Sequence, residues 1–448
     1  MNKNFSDLRK LYPTFIYEKY EYKIEDNKLK IKYFFDIPNL ESFTPTLEIK
    51  ANNDLNLEDN YLKTLIFHIG LIEVISYIKC TCSPNIVIKA GYLDKEQINW
   101  FKKLYYYGLG EFLYVNNISI EEDNLFNFQI EGEELELGPS SFKGIGNLIP
   151  IGGGKDSVVT LELLKNEENN DCFILNPKEA NLECAKVSGY NENNIKIVKR
   201  TIDPKLIELN KKGYLNGHTP FSSLVAFITY LTAYINNKKY IVLSNEASAN
   251  EATVIGTKIN HQYSKTYEFE NDFNEYTKKH FNLDIKYFSL LRPLTEFQIG
   301  MLFSKYDKYH KVFKSCNVGS KNSNWNWCCN CPKCLFVYTI LSPFLYKDKL
   351  IGIFGEDLFE RKDLLNTFIE LLGYGETKPF ECVGTYEEVR YSVSLLIQKL
   401  EDLPYLLKYY KEHYPSELNH KYESKFNNIH NLDEHFLNII KGELKDVL

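Results

Sequence analysis

The most constraining feature of this 448-residue sequence is a run of three glycines between a strand pattern and a helix pattern. Residues 147–151 are mostly apolar and predict a β-strand, Gly152–Gly154 follow, and residues 158–165 predict a helix. The alternation continues along the chain, with strands predicted at 172–175, 195–198, 240–244 and 284–290 and helices predicted at 179–188 and 221–235. Strands and helices at this spacing predict an α/β domain built on a doubly wound parallel sheet.

The residues after the strand at 147–151 have the chemistry of a phosphate-binding loop. Glycines let the backbone approach a ligand closely, and the N–H groups at the start of a helix attract anions. Lys155 adds a positive charge, and the Asp156 carboxylate can hold a magnesium ion that bridges phosphates. Ile149 and Asp156 stand where a Walker A loop requires Gly and Ser or Thr, which excludes that motif. The predicted phosphate-binding residues are Gly152, Gly153, Gly154, Lys155, Asp156 and Ser157, and the alternative is a tight turn without a ligand.

The segment Gly153–Ser157 resembles the PP-loop of the ATP pyrophosphatase superfamily, whose signature is Ser-Gly-Gly-x-Asp-Ser. Gly152 stands where that superfamily usually has Ser, so the match lacks one hydroxyl contact to phosphate. The resemblance implies an adenine nucleotide alpha hydrolase-like fold and cleavage of ATP to AMP and pyrophosphate, usually through an adenylated substrate. In that chemistry magnesium offsets the charge that develops on the leaving pyrophosphate.

Five of the ten cysteines lie between positions 316 and 334. A chain of this length buries a core without disulfides, so the clustering indicates metal binding rather than a disulfide framework. Four thiolates in a C-x11-C-x2-C-x2-C arrangement suit tetrahedral zinc, and the predicted ligands are Cys316, Cys328, Cys331 and Cys334. The spacing resembles the structural zinc site of the 7-deazaguanine (preQ0) synthase branch of the PP-loop enzymes. The adjacent Cys329 leaves two alternatives open, a group of free thiols and redox chemistry.

The change of pattern along the chain predicts three consecutive domains. Residues 1–138 form an α+β domain, which is a candidate for substrate binding, 139–345 form the PP-loop ATP-binding catalytic domain, and 346–448 form a helical C-terminal region. In the first domain, strands are predicted at 28–35 and 112–115 and helices at 60–80 and 95–107. The acidic segment 121–138 is expected to be a solvated stretch that leads to the domain boundary.

Composition narrows the class of protein. Lysine and arginine total 53 and aspartate and glutamate total 60, for a net charge of −7. This balance argues against a general nucleic-acid or anionic-membrane binder. Residues 1–10 lack the apolar core of a signal peptide, and the apolar stretches carry charge or are shorter than the ~20 residues that span a bilayer. We therefore expect a cytoplasmic protein with no nucleic-acid or membrane partner, and the sequence leaves its oligomeric state open.

Polar residues are dense in the predicted loops of the middle domain. Glu246 follows the strand at 240–244, and ligands of open α/β sheets bind beyond the carboxyl ends of the strands. His261 and Lys265 follow in a later loop, and loops are where functional residues concentrate. These three side chains are the candidate acid–base residues, and the alternative for each is a cap or a surface group.

Several short motifs together resemble the UDP-N-acetyl-muramoyl-L-alanyl-L-glutamate epimerase family of bacterial cell-wall synthesis. The motifs are residues 107–111 (YGLGE), 149–157 (IPIGGGKDS), 217–222 (GHTPFS), 244–250 (SNEASAN), 260–265 (NHQYSK) and 331–334 (CPKC). The length of the chain fits that family. The resemblance implies an isomerase that uses ATP and magnesium to invert the terminal L-glutamate of UDP-MurNAc-L-Ala-L-Glu, a step of peptidoglycan synthesis that supports cell shape.

The implied chemistry explains why an epimerase would use ATP. The Cα–H next to a carboxylate is very weakly acidic, because its carbanion would add to an existing negative charge. Adenylation removes that charge, so that a base takes the proton from one face and an acid returns a proton on the other. Hydrolysis of the acyl adenylate then releases AMP. Two alternatives remain open, namely another PP-loop enzyme that acts on a deazaguanine (preQ0) precursor or on tRNA, and a non-catalytic ATP-binding module.

Overall fold

The computed structural model describes residues 4–251, 260, 261, 263–316, 318, 319, 326–375, 378–415 and 421–445. The chain divides into two compact units that alternate along the sequence. The first contains Met1–Leu148, Lys196–Ile241 and Ile259–Tyr287, and the second contains Ile149–Ile195, Val242–Lys258 and Phe288–Leu448. The three domains expected at 1–138, 139–345 and 346–448 are consecutive in sequence, whereas these two units are interleaved. The three-domain division stays a prediction.

In the described part of the chain the strands are β1 (Thr14–Glu25), β2 (Lys28–Ile37), β3 (Glu41–Phe43), β4 (Thr46–Lys50), β5 (Asn85–Ile88), β6 (Asn127–Ile130), β7 (Asn147–Pro150), β8 (Asp171–Leu175), β9 (Ile195–Thr201), β10 (Tyr240–Leu243) and β11 (Lys286–Ser289). The α-helices are α1 (Phe5–Leu11), α2 (Asn60–Ile78), α3 (Lys95–Gly108), α4 (Gly110–Val115), α5 (Glu122–Leu125), α6 (Lys155–Leu163), α7 (Glu179–Val187), α8 (Pro204–Lys211), α9 (Phe221–Ile235), α10 (Tyr267–His280), α11 (Glu296–Ser304), α12 (Pro332–Leu341), α13 (Lys347–Phe354), α14 (Leu365–Leu371), α15 (Tyr386–Lys399), α16 (Tyr405–His413) and α17 (Glu434–Lys445).

The first unit is built on a mixed sheet with the strand order β6-β5-β1-β2-β4-β9. The pairs β1–β2, β2–β4 and β4–β9 are antiparallel, whereas β1–β5 and β5–β6 are parallel. Asp26 and Asn27 join β1 to β2, and both have a φ of 54°, as a two-residue turn of type I′ requires. Alternate residues of β2 from Leu29 to Ile37 are buried, so one face of the sheet lies against the core.

Helices α2 and α9 pack against each other in the first unit, and α2 also packs on β1. Most residues of α2 are buried, which explains its almost continuous apolar sequence. Among the described helices, α2 is the one that is long and apolar enough to cross a membrane by length and composition, and most of it is buried inside the protein. The strand predicted at 28–35 and the helices predicted at 60–80, 95–107 and 221–235 are confirmed.

Two predictions for the N-terminal part are wrong. Residues 112–115 lie in helix α4 rather than in a strand, because Phe112 and Leu113 are buried and the Leu113 N–H donates to the Leu109 carbonyl at 2.9 Å. Helical packing overrides the local β preference of Phe-Leu-Tyr-Val. The segment 121–138 was expected to be solvated, yet it contains α5 and β6, and Leu125 within it is buried.

The second unit carries the glycine loop between β7 and α6 and the C-terminal helices. Helix α11 packs against α6 and α12, and α12 packs against α14 and α15. Unit boundaries fall within β7, β9, β10 and β11, and β7 and β10 are parallel neighbours. The strands and helices predicted from 147 to 290 and the helical character after 345 are confirmed. The chain is therefore mixed α/β with a large sheet, and the specific PP-loop topology stays a prediction.

Candidate functional site

The glycine loop of the second unit is a tight connection between β7 and α6. Gly153 has a φ of +81°, and a Cβ at this position would lie 2.8 Å from the Asn181 nitrogen, so only glycine fits. The Ser157 hydroxyl accepts from the Gly153 N–H at 3.2 Å and donates to the Gly154 carbonyl at 2.9 Å, which closes the turn. Among the described residues no side chain caps the start of α6 at Gly154. The first N–H groups of the helix and its dipole therefore favour an anion.

Lys155, the first residue of α6, is fully buried and contacts two carboxylates. Its Nζ donates to Asp156 and to Glu296, which begins α11. Burial by itself lowers the pKa of Lys155, but the charges of Asp156 and Glu296 outweigh this effect and raise it. Burial raises the pKa of Glu296, Lys155 opposes the change, and the charges of Asp156 and Glu246 add to it. The loop lysine is therefore charged and fixed in position.

Two further glutamates lie around Glu296. The Glu388 carboxylate accepts from the Glu296 backbone N–H at 2.7 Å, and Glu246, which is 7% exposed, accepts from the Ser248 hydroxyl at 3.0 Å. Burial raises the pKa of Glu388, and the charge of Glu246 adds to the increase. A second buried lysine, Lys333, acts with its charge on Glu296, and the buried Arg292 guanidinium donates to the Glu246 backbone carbonyl at 2.9 Å. Carboxylate oxygens are the ligands that a divalent cation such as magnesium prefers, so this group could hold one.

The four cysteines predicted as metal ligands lie together in the second unit. Their Sγ atoms are all within 4.8 Å of one another, in the group Cys316, Cys328, Cys331 and Cys334. The Sγ–Sγ distances are 3.8 Å for Cys316–Cys331, 3.7 Å for Cys328–Cys334 and 3.5 Å for Cys331–Cys334. A tetrahedron with zinc–sulfur bonds of about 2.3 Å has sulfur–sulfur edges of about 3.8 Å. The four sulfurs therefore have the chemistry and the spacing of a tetrahedral zinc site.

The surroundings of this cysteine group separate Cys329 from the other four. Its Sγ donates to the Phe354 carbonyl at 3.2 Å, away from the group. The backbone N–H of Gly319 donates to the Cys316 sulfur at 3.0 Å, and hydrogen bonds from neighbouring thiols lower the pKa of Cys316. Donors of this kind stabilise the thiolate form that binds metal. The adjacent Cys-Cys pair thus supplies one candidate ligand, Cys328, and one thiol outside the group.

A second polar cluster lies in the first unit and contains His261. The Nδ1 atom of His261 contacts the Glu111 carboxylate, and the Nδ1 atom of His218 lies 3.5 Å from the same oxygen. The two imidazole rings are 4.4 Å apart between centroids. Burial lowers the pKa of His218 to about 4, with the charges of His261, Lys79 and Lys265 acting in the same direction and Glu111 against them. His218 is therefore neutral at pH 7.

Three chain segments hold this cluster in place. Glu111 lies in the first turn of α4, four residues after Tyr107. The Tyr107 ring stacks on Tyr263 with ring centroids 5.4 Å apart. This stacking ties the segment that carries His261 to the helices that carry Glu111. The Asn116 amide at the end of α4 donates to the Asn216 carbonyl at 3.1 Å and so holds the segment that carries His218. Three motifs that are far apart in sequence thus meet at one site.

The three candidate acid–base residues lie in different units. His261 belongs to the cluster with Glu111, and Lys265 lies in the same unit at the end of a 3-10 turn, from which its charge acts on His218. Glu246 lies in the second unit beside the glycine loop carboxylates. Gln262, from the same motif as His261, lies outside the described residues.

Two family models match most of the chain. A family model described as the MurL N-terminal domain matches residues 6–290, and one described as the MurL C-terminal domain matches residues 312–422. The chain belongs to the MurL family. The sequence resemblance to this epimerase family is therefore confirmed, whereas membership of the PP-loop superfamily stays a prediction.

Curated relatives of this MurL chain carry one name, UDP-N-acetyl-alpha-D-muramoyl-L-alanyl-L-glutamate epimerase. The protein of Xanthomonas oryzae pv. oryzae is 35% identical over 338 residues, which cover 74% of each chain. The protein of Micromonospora sp. is 34% identical over 337 residues, 73% of this chain and 74% of the relative. The protein of Salinispora tropica is 32% identical over 395 residues, 86% of this chain and 84% of the relative.

Sequence reasoning assigned no role to three acidic residues of these candidate sites. Glu296 contacts Lys155 from 141 positions further along the chain, and Glu388 lies further still, on α15. Glu111 lies 150 positions before His261. Glu296 directly follows Thr295 at the start of α11, and Glu388 is the third residue after Thr385 at the start of α15. Such a position by itself predicts only a residue of a helix cap. Glu111 also had a signal of its own, as the last residue of the YGLGE motif.

Proposed function

We propose that the chain is an ATP- and magnesium-dependent epimerase of the bacterial cytoplasm that converts the terminal L-glutamate of UDP-MurNAc-L-Ala-L-Glu to D-glutamate. AMP and pyrophosphate are the other products, and the step belongs to peptidoglycan precursor synthesis. The names of the MurL relatives support the substrate and the epimerisation. The observation that carries the use of ATP is the position of Lys155, which is buried at the start of a helix directly after three glycines and between two carboxylates.

The residues of the glycine loop fit the phosphates of ATP. Gly153 and Gly154 admit no side chain without a close contact, whereas a Cβ at Gly152 would meet nothing within 4 Å, so the loop keeps open space at its start. Backbone N–H groups of α6 and the Lys155 ammonium would bind phosphate oxygens. Asp156 and the nearby glutamates would hold magnesium, which supplies charge neutralisation as pyrophosphate leaves.

Activation of a substrate carboxylate gives the proton transfer its driving force. Once the carboxylate is an acyl adenylate, loss of the Cα proton no longer places a second negative charge on the same group. His261, Lys265 and Glu246 are the proposed acid–base residues. His261 is the better candidate for the base, because an imidazole nitrogen can accept a proton and the Glu111 carboxylate beside it orients the ring and stabilises its protonated form.

The cysteine group would hold a structural zinc ion. Four thiolates fill a tetrahedral site and leave no open position for a substrate, so such a site stabilises the fold and takes no part in the reaction. Three of its ligands flank the start of α12, and the fourth, Cys316, comes from the preceding segment. The metal would therefore fix the segment that leads into α12.

The decisive experiment follows two products from one incubation. Full-length protein receives ATP, magnesium and UDP-MurNAc-L-Ala-L-Glu in D₂O, and we measure pyrophosphate release and deuterium at the glutamate Cα. Release that requires this substrate, with deuterium uptake and D-glutamate formation, supports the epimerase. Release with a deazaguanine carboxylic acid or with tRNA instead would identify another ATP pyrophosphatase, and tight ATP binding with no turnover would identify a binding module.

Matched variants connect this reaction to the loop. Lys155→Met should abolish pyrophosphate release. Lys165→Met removes an exposed lysine just after α6 and should leave the rate unchanged, since Lys165 pairs only with the nearby Glu162 among the ion pairs of the described residues. Equal loss in both variants would contradict the role of Lys155.

A further inference from the structure

The cluster of Glu111, His218 and His261 brings together three motifs whose roles the sequence did not separate. Each side chain is partly exposed, at 16%, 22% and 16% respectively, so a substrate can reach them. The backbone around the cluster is fixed, since the Lys79 ammonium donates to the Gly217 carbonyl at 2.5 Å. A Cβ at Gly108 would lie 2.7 Å from Pro220, so this glycine, the last residue of α3, lets the His218 segment approach.

The spacing of the two histidines limits what they can do in an epimerisation. A base and an acid that act on opposite faces of one carbon must stand on either side of it. Ring centroids 4.4 Å apart leave no room for a tetrahedral carbon and its substituents between the two imidazoles. The two rings therefore serve the same side of a substrate and are not the opposed pair.

The contact with Glu111 distinguishes the two histidines. Glu111 is an acceptor, so the His261 nitrogen beside it, Nδ1, carries the proton, and Nε2 holds the lone pair. His218 lies further from the same carboxylate, with its Nδ1 at 3.5 Å. The ammonium groups of Lys79 and Lys265 also act on His218, and this positive surrounding disfavours a second cation there. These charges also weigh against a divalent metal held by the two histidines and Glu111.

We propose that His261 is the base that removes the Cα proton on one face of the glutamate and that Glu111 is its positioning residue. This inference rests on the proposed function. The Cα–H bond breaks, its proton goes to His261 Nε2, and the electron pair moves into the activated acyl group as an enolate. Glu111 keeps the Nδ1 proton in place and balances the imidazolium charge. A proton from an acid outside this cluster then forms the new C–H bond on the opposite face, and His261 returns its proton to water.

The test separates activation from proton transfer. Glu111→Gln keeps an oxygen acceptor for Nδ1–H but removes the charge. We expect kcat for D-glutamate formation to fall by about 100-fold, the lower end of what a general base contributes, because His261 stays but loses the carboxylate that orients it, with KM and first-turnover pyrophosphate release little changed. The pH profile of the residual activity should also move, because the imidazole loses its carboxylate while His218, Lys79 and Lys265 stay. His261→Asn should lose Cα deuterium exchange in the same way, and Glu96→Gln, which removes an exposed carboxylate paired with Lys279, is the matched control.

Each result decides a different point. Wild-type rates of D-glutamate formation in Glu111→Gln, or a loss in His218→Asn as large as in His261→Asn, would overturn this proposal alone. A divalent metal that copurifies in addition to any cysteine-bound ion, and that Glu111→Gln and His261→Asn both lose, would also overturn it and assign a metal site instead. Absence of pyrophosphate and of D-glutamate with the wild-type protein would overturn the proposed function, and this inference with it.

Discussion

Replacement of Lys155 by methionine tests the buried charges beside the glycine loop. The Lys155 side chain is 0% exposed and that of Glu296 is 2% exposed, so solvent screens neither charge. Removal of one partner of a buried ion pair costs about 3–5 kcal/mol, because the remaining group must stay charged in the interior without that partner or change its protonation. For a unit of about 200 residues, 1 kcal/mol corresponds to about 2–4 °C in the melting temperature. We therefore expect Lys155→Met to lower the transition of the second unit by about 10 °C.

A second substitution separates charge from packing. Glu296→Gln removes the carboxylate that Lys155→Met would leave in the interior, so the double variant should lose less stability than the sum of the two single variants by about 1–3 kcal/mol, the usual coupling of groups in contact. Differential scanning calorimetry suits this comparison, since a chain with two compact units need not unfold in one step. Lys165→Met should melt like the wild type. If the two single losses simply add in the double variant, the ion pair is not what holds this part of the unit.

Three further predictions address other features. Cys331→Ser should lose bound zinc and lower the melting temperature, while Cys329→Ser, whose sulfur faces the Phe354 carbonyl, should keep the metal; equal zinc content in both by elemental analysis would refute the four-cysteine site. Gly153→Ala should destabilise the loop and weaken ATP binding, measured by calorimetry, because a Cβ meets the Asn181 nitrogen at a positive φ, whereas Gly152→Ser meets nothing and should be tolerated; equal effects would argue against this geometry. Burial lowers the pKa of His68 to about 3, so the unfolded chain binds a proton below pH 6.5 that the folded chain refuses, and stability should fall by about 2 kcal/mol from this group between pH 7 and pH 5. Urea titrations at pH 7 and pH 5 measure this change in the free energy of unfolding, and in His68→Gln the change should be smaller by about 2 kcal/mol. An unchanged pH dependence would show that His68 is not kept neutral.

The features that local sequence determines were predictable. The glycine loop and the cysteine spacing each lie within a short stretch, and periodic apolar residues mark α2 and α9. The prediction of a strand at 112–115 was wrong because the β preference of four residues is weaker than the packing that makes the segment helical. A local pattern states what a segment prefers, and tertiary contacts decide between close alternatives.

The partners in the candidate sites were less predictable. Glu296 reads as an ordinary residue after a threonine cap, and only the packing of α11 against α6 brings its carboxylate to Lys155. Glu111 and His261 meet through the stacking of Tyr107 on Tyr263, which no spacing rule anticipates. Residue types and local spacing identified candidates, whereas the pairing of charges across about 150 positions required the fold.

The alternation of the two compact units along the sequence has a consequence for how the protein is made and inherited. During synthesis the first unit lacks its last segment until Tyr287 has left the ribosome, and the second remains incomplete until the C-terminal helices follow. A gene fragment that ends at residue 290, where the first family match stops, encodes the glycine loop without Glu296. Neither unit corresponds to a continuous stretch of coding sequence, so recombination cannot exchange one for a relative's version in a single event.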